Sequence, residues 1–213
     1  MNATRILAIR HGETAWNVDT RIQGQLDIPL NETGRWQAGR MALALADEPI
    51  HAIYASDLLR ARETALALAD ATELPVLSEE GLREREFGVF EGKTFAEIAA
   101  LWPEQSLRWR KRDPDFAPEG GESLLQFRQR VTHAVQTLAE RHRGELIALV
   151  SHGGVMDVLY RAATRQELQA PRTWALGNAA INRLLWTPQG LTLVGWADTN
   201  HLQDDESLDE TTA

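Results

Sequence analysis

Residues 7–17 read LAIRHGETAWN. A short apolar run stops at an arginine and a histidine and turns at once on a glycine. Buried strands end in turns, and a turn has no use for two side chains that carry or can acquire positive charge. The pair therefore implies an anion at that point. The same grammar returns far along the chain, where residues 144–154 read GELIALVSHGG. Both stretches predict buried strands, the first over residues 4–9, each with a histidine and a glycine at its carboxyl end. The likeness is too short to be a duplication, and no repeat of solenoid period is present.

Between these two strands the chain alternates. NETGRWQAGRMALALAD, from Asn31, predicts a helix capped by Asn31 or Thr33. HAIYAS, residues 51–56, predicts a second strand. Asp57 is placed to cap the helix LLRARETALALADA, and PVLSEE holds a third short strand. Residues 82–92 are glycine-punctuated and read as a loop. Residues 93–121 break the pattern with an amphipathic piece, TFAEIAALW, a basic piece, SLRWRKR, and DPDFAPEGG. Residues 123–143 predict a long helix and 155–163 another. AAINRLLWT and LTLVGWA predict two late strands that turn through Pro188, Gln189 and Gly190. Strands alternating with helices imply an α/β fold, a three-layer α/β/α sandwich whose sheet is mostly parallel with an antiparallel edge strand. The expected organisation is a single domain over residues 1–202 with a cap-like insertion at about 93–121. The acidic tail, 203–213, reads as disordered.

Composition narrows the function. The chain has 213 residues and a formal charge of -9, which argues against a general nucleic-acid binder. It has no cysteine, so disulfides and thiolate metal sites are excluded. No membrane-length apolar run and no secretory signal is visible, and the expected location is cytoplasmic. The positive charge is almost all arginine, with lysine only at Lys93 and Lys111. Arginine's planar fork suits phosphate and carboxylate.

Ligands of such sheets bind at the carboxyl ends of the strands. There the reading collects Arg10 and His11, then Arg60 one helical turn beyond the second strand, then His152, with Glu84 in the glycine-punctuated loop. Two arginines and two histidines make an anion site, and a single carboxylate among them suits acid–base chemistry.

RHGETAWN, SDLLRARETA, LREREFGVFEG and LVSHGG, in that order, resemble the histidine phosphatase superfamily and its phosphoglycerate mutase-like fold. The resemblance runs from Thr4 to about Gly154. It implies that His11 attacks phosphorus to form a phosphohistidine and that Arg10, Arg60 and His152 hold the phosphoryl oxygens. It implies further that Asn17, Gln23, Gly24 and Gly153 line the substrate pocket and that Glu84 protonates the leaving oxygen and then activates water. An imidazole attacks only through an unprotonated nitrogen, so its other nitrogen must give its proton to a neighbour such as a backbone carbonyl. A transferring phosphoryl group spreads charge over three oxygens, which cationic side chains can stabilise without a metal. Glu86 and Glu91 are the rivals of Glu84.

LREREFGVFEG, IQGQLDIPLNETG and PEGGES resemble the small-molecule phosphatase branch, including alpha-ribazole and broad-specificity phosphatases, whereas true mutases resemble one another in a longer insertion and an ERHYG-type loop. The resemblance thus implies hydrolysis of a phosphorylated small molecule, with no cofactor and no metal site. Two alternatives stand beside it: phosphoglycerate mutase-type transfer, which would use a bisphosphoglycerate primer, and a non-catalytic module that binds a phospholigand. A homodimer is left open. In the insertion, Trp102, Trp109, Arg108, Arg110, Lys111 and Arg112 read either as a solvated helical face or as a lid offering aromatic and cationic contacts. Trp16 is expected to pack its loop, and Trp36, Trp174, Trp186 and Trp196 to be buried or half-buried. His51, His133 and His142 read as structural or exposed, and His201 is given no role.

Overall fold

The computed structural model describes residues 3–203. Except for Gln203, the acidic tail lies outside the described residues. A six-stranded sheet is built from β1 (Thr4–Arg10), β2 (Ile50–Ala55), β3 (Val76–Ser78), β4 (Leu146–Ser151), β5 (Ile181–Thr187) and β6 (Gly190–Asp198), in the spatial order β3-β2-β4-β1-β5-β6. The first four are parallel. β5 runs against β1, and β6 against β5, so the antiparallel part is a whole hairpin at one end of the sheet.

Successive strand residues face opposite ways, and both faces are covered. Leu7 and Ile9 of β1 pack with Met41, Leu45, Ala61, Ala65 and Leu68. Those residues come from α2 (Glu32–Leu45) and α3 (Leu59–Thr72). Ile6 and Ala8 face the other layer, where Phe127, Val131, Val135, Met156 and Leu159 come from α6 (Leu124–Arg141) and α7 (Gly153–Thr164). This is why β1 and β4 read as unbroken apolar runs. Among the described residues no helix is long and apolar enough to cross a membrane.

Asn31 caps α2 by accepting from the Gly34 N–H, and Ser123 caps α6 in a reciprocal arrangement with Gln126. Asp57 does not cap α3. The helix begins after Leu58, and its Leu59 N–H donates 2.9 Å to Asp27 Oδ1, while Asp57 pairs with Arg83. An arginine across the loop out-competes a backbone amide for that carboxylate because the bond is charge-assisted. Trp36 also departs from expectation, being 45% exposed on α2, whereas Trp174 and Trp186 are buried.

Over the carboxyl ends of the strands lies a small subsidiary layer. A one-turn helix, α1 (Ala15–Val18), follows the first strand. α4 (Phe95–Leu101) carries a capping box of Thr94 and Glu97, and α5 (Pro103–Arg110) starts on its proline. Phe90, Ile98 and Phe116 form a second core with Ile22, Phe87, Trp102 and Trp109 packed against it. The two tryptophans are therefore half-buried, and the solvated-face reading does not hold for them. Ile22 and Phe87, both outside residues 93–121, take part in this packing.

Candidate active site

The strand register delivers the site. Arg10 pairs with Ser151, and Ala55 with Val150. One residue on, the His11 N–H donates to Ser151 O at 2.9 Å and the Ser56 N–H to Val150 O at 3.0 Å. His11, Ser56 and His152 leave the sheet side by side, and the two imidazole centroids are 5.3 Å apart.

His11 Nδ1 lies 2.7 Å from Gly12 O. A carbonyl only accepts, so Nδ1 carries the proton and Nε2 is bare. Burial, and then Arg60 and Arg10, hold the His11 pKa well below the ordinary imidazole value, which keeps the ring neutral. Burial and the same arginines act likewise on His152. His152 Nε2 is 2.8 Å from Ser56 Oγ, and that oxygen also accepts the Leu58 N–H. His152 Nδ1 is buried and has no partner among the described residues. His152 is wholly buried beside His11 and does not itself form part of the cleft wall.

The arginines are held by carbonyls. Arg60, 1% exposed, donates to Gly24 O (2.7 Å) and Leu26 O (2.8 Å), and Arg10 donates to Leu176 O. Burial lowers the pKa of both, that of Arg60 to about 10, while Glu84 opposes the shift. The Nε atoms of both are buried without a partner among the described residues. Carbonyl anchoring fixes a guanidinium without neutralising it.

Glu84 accepts from the Arg85 N–H (2.8 Å) and, across the cleft mouth, from the Gly154 N–H at the start of α7 (2.9 Å). A Cβ on Gly154 would stand 2.1 Å from Glu84 Oε1, so only glycine leaves room for this carboxylate. Of its rivals, Glu86 is exposed, and Glu91 is engaged by the Gln25 and Phe87 amides. Asn17 Oδ1 accepts from the Thr14 N–H (3.0 Å) and from Asn178 (3.3 Å), which leaves its amide nitrogen for the cleft. Gln23 is 3.0 Å from Thr14 Oγ1, and Gly24 sits at φ +52° against Glu91.

These groups open into a cleft of about 660 Å³ whose wall holds Arg10, His11, Asn17, Gln23, Gly24, Arg60, Glu84 and Gly153 together. The wall also contains residues the motifs did not flag: Arg21, Arg85, Phe87, Phe95, Asp157 and Arg172. Trp16, expected only to pack its loop, is part of the wall, and so are Trp109, Arg110 and Arg112. Arg108 is not; it pairs with Asp113 at 2.8 Å and lies over the Phe116 ring. The contacts of Ser56 with His152, of Asn178 with His11 and Asn17, and of Asp157 with Arg112 had no signal in the sequence, since those partners are more than 40 residues away. His201 Nε2 meets Ala179 O at 3.1 Å and so ties the chain end to the segment before β5.

The family pattern of the Histidine phosphatase superfamily (branch 1) matches residues 6–199. Phosphoglycerate mutase-like protein 4 of Arabidopsis thaliana is 39% identical over 204 residues, 93% of this chain and 87% of that protein. The metal-independent phosphoserine phosphatase of the same plant is 38% identical, covering 93% of this chain and 83% of its own. Among solved structures, mycobacterial glucosyl-3-phosphoglycerate phosphatase superposes with a TM-score of 0.83 at 34% identity, over 92% of this chain and all of that one. The chain belongs to the histidine phosphatase superfamily.

Proposed function

We propose that this superfamily member hydrolyses small phosphate monoesters without a metal ion, through a phosphohistidine on His11. The observation that carries the reading is the bond from His11 Nδ1 to Gly12 O in a ring held neutral by burial and two arginines. That arrangement presents Nε2 as a lone pair. Nε2 attacks phosphorus, an N–P bond forms, the ester P–O bond breaks, and Glu84 gives its proton to the leaving oxygen. Glu84 then takes a proton from water, the water oxygen bonds to phosphorus, and the N–P bond breaks to release phosphate and His11. Arg10 and Arg60 are fixed in place before the substrate arrives, so they stabilise the transferring oxygens with little reorganisation. The amide end of α7, from Gly153, adds neutral donors, and His152 packs directly against the His11 ring.

Two relatives that bear the name phosphatase support hydrolysis, while a third is named mutase-like. The cleft favours hydrolysis too, because exposed Phe95, Arg110 and Arg172 border it and leave water a path. The test is p-nitrophenyl phosphate turnover with EDTA present, for the wild type and His11→Ala, with acid- and base-quenched samples assayed for a phosphoenzyme. Turnover that survives EDTA, vanishes in His11→Ala and passes through an acid-labile, base-stable phosphoenzyme is the expected result. Interconversion of 2- and 3-phosphoglycerate without phosphate release would replace it with the mutase reading. Retained ligand affinity with no turnover would make the chain a binding module.

A further inference from the structure

The far end of the cleft has a different construction. Asp157, on the second turn of α7, is 5% exposed, yet it belongs to the cleft wall. Its Oδ2 accepts from two arginines, Arg112 Nη2 at 2.6 Å and Arg161 Nε at 3.0 Å. Its Oδ1 is buried and has no partner among the described residues. A buried carboxylate oxygen without a donor is costly, so it calls for a donor from outside the chain, a water in the free protein and a ligand group in the complex. Arg112 is held at φ +53°, a left-handed conformation that non-glycine residues rarely adopt, and its Nε donates to Leu168 O at 2.6 Å. Strain of this kind persists where the surroundings enforce it, commonly at ligand clamps.

Charge selects the donor. Seven arginines and two carboxylates line the cleft. Asp157 already faces two of those cations or their neighbours, so an ammonium brought to Oδ1 would meet net positive charge, whereas a hydroxyl meets none. In the same cleft wall, Phe95 and Trp109 stack with centroids 5.0 Å apart and planes 4° apart, and Phe95 is 54% exposed. A flat aromatic surface and a carboxylate acceptor in one wall suit a ring with one apolar face and hydroxyls at its edge.

We propose that Asp157 is a specificity-determining residue and that the substrate is a phosphorylated sugar or polyol, one hydroxyl of which donates to Asp157 Oδ1 while the ring lies on the Phe95–Trp109 platform. This rests on the phosphatase reading given above. In Asp157→Asn the amide oxygen can keep the two arginines, and its NH₂ then turns a donor to the cleft where an acceptor stood.

The experiment is a cycle between enzyme and substrate. The kcat/KM of wild type and Asp157→Asn is measured on glucose 6-phosphate, fructose 6-phosphate and ribose 5-phosphate, on their monodeoxy analogues, on phosphoserine and on p-nitrophenyl phosphate. In the wild type, removing one particular hydroxyl is expected to lower kcat/KM about tenfold; in Asp157→Asn the same removal is expected to cost less than about twofold. Equal losses in both proteins overturn the proposal and leave Asp157 as a strut for Arg112 and Arg161. Turnover of p-nitrophenyl phosphate but of no sugar phosphate, or phosphoserine as the best substrate, overturns it while the phosphatase reading stands. If p-nitrophenyl phosphate itself is inert in the wild type, the phosphatase reading falls and this proposal with it. Thermal melting of Asp157→Asn shows that the variant is folded; should it not be, Phe95→Ala and the deoxy series in the wild type carry the test, with selectivity for ring sugars over p-nitrophenyl phosphate expected to drop and an unchanged ratio counting against the platform.

Discussion

The two ends of the cleft are both made of arginine, and they handle its charge in opposite ways. At the His11 end Arg10 and Arg60 are anchored by backbone carbonyls, so their charge is aimed and left unspent. At the far end Arg112 and Arg161 share the carboxylate of Asp157, so much of theirs is cancelled. A carbonyl has a dipole to orient a guanidinium but no net charge to oppose a dianion. A carboxylate has both, and it leaves an acceptor over for a neutral donor. The difference teaches that a count of arginines does not measure a cleft's affinity for anions; what each one is tied to decides it.

The sharpest way to break the comparison is to remove one arginine from each end. Arg60→Ala is expected to lower kcat/KM about a hundred- to thousandfold on every phosphate ester, as loss of a preorganised donor does. Arg112→Ala is expected to cost about tenfold on sugar phosphates and less on p-nitrophenyl phosphate. Steady-state kinetics on both substrates checks this, and equal, substrate-independent losses from the two variants would erase the distinction. Gly154→Ala tests the carboxylate between the ends. Its Cβ would press on Glu84 Oε1 from 2.1 Å, so kcat should fall about a hundredfold while the fold stays intact by circular dichroism, since a displacement near 1 Å at a catalytic group is enough.

A smaller effect concerns pH. His11 and His152 have folded pKa values held well below 6.5 by burial and then by Arg60. The unfolded chain takes up protons near 6.5, so it binds more protons than the folded chain just below that pH. Stability is therefore full above about pH 6.5 and declines as pH falls, by about 1.4 kcal/mol per pH unit for each ring. Urea melts between pH 7.0 and 5.0 should show the decline, and His152→Asn should halve its slope. A slope unchanged by that substitution would mean that His152 is not the group held neutral.

Much of the His11 end is legible in the sequence. Arg10, His11 and His152 stand directly after apolar runs, and Arg60 stands one helical turn after another, so strand ends and helix pitch located them. Glu84 was separable from Glu86 and Glu91 by motif resemblance alone; the physical reason, the glycine gap at Gly154, is visible only in the fold. The far end was read less well. Of the insertion's cations, Arg110 and Arg112 line the cleft, but Arg108 turns to Asp113 and Phe116. The expectation that Asp57 caps α3 failed because Arg83, 26 residues on, reaches it first.

By itself the sequence determined the layers, the helix caps Asn31 and Ser123, and the strand ends on which the anion site is built. Each of these is written in neighbouring residues, through periods of two and about 3.6 and through single capping bonds. Only the tertiary structure decided that Ser56 meets the His152 ring, that Phe95 stacks on Trp109, and that Asp157 holds Arg112 while keeping one oxygen free. Those contacts join residues far apart in the chain, whose spacing carries no code, because side-chain partners across a core are chosen by how the layers pack.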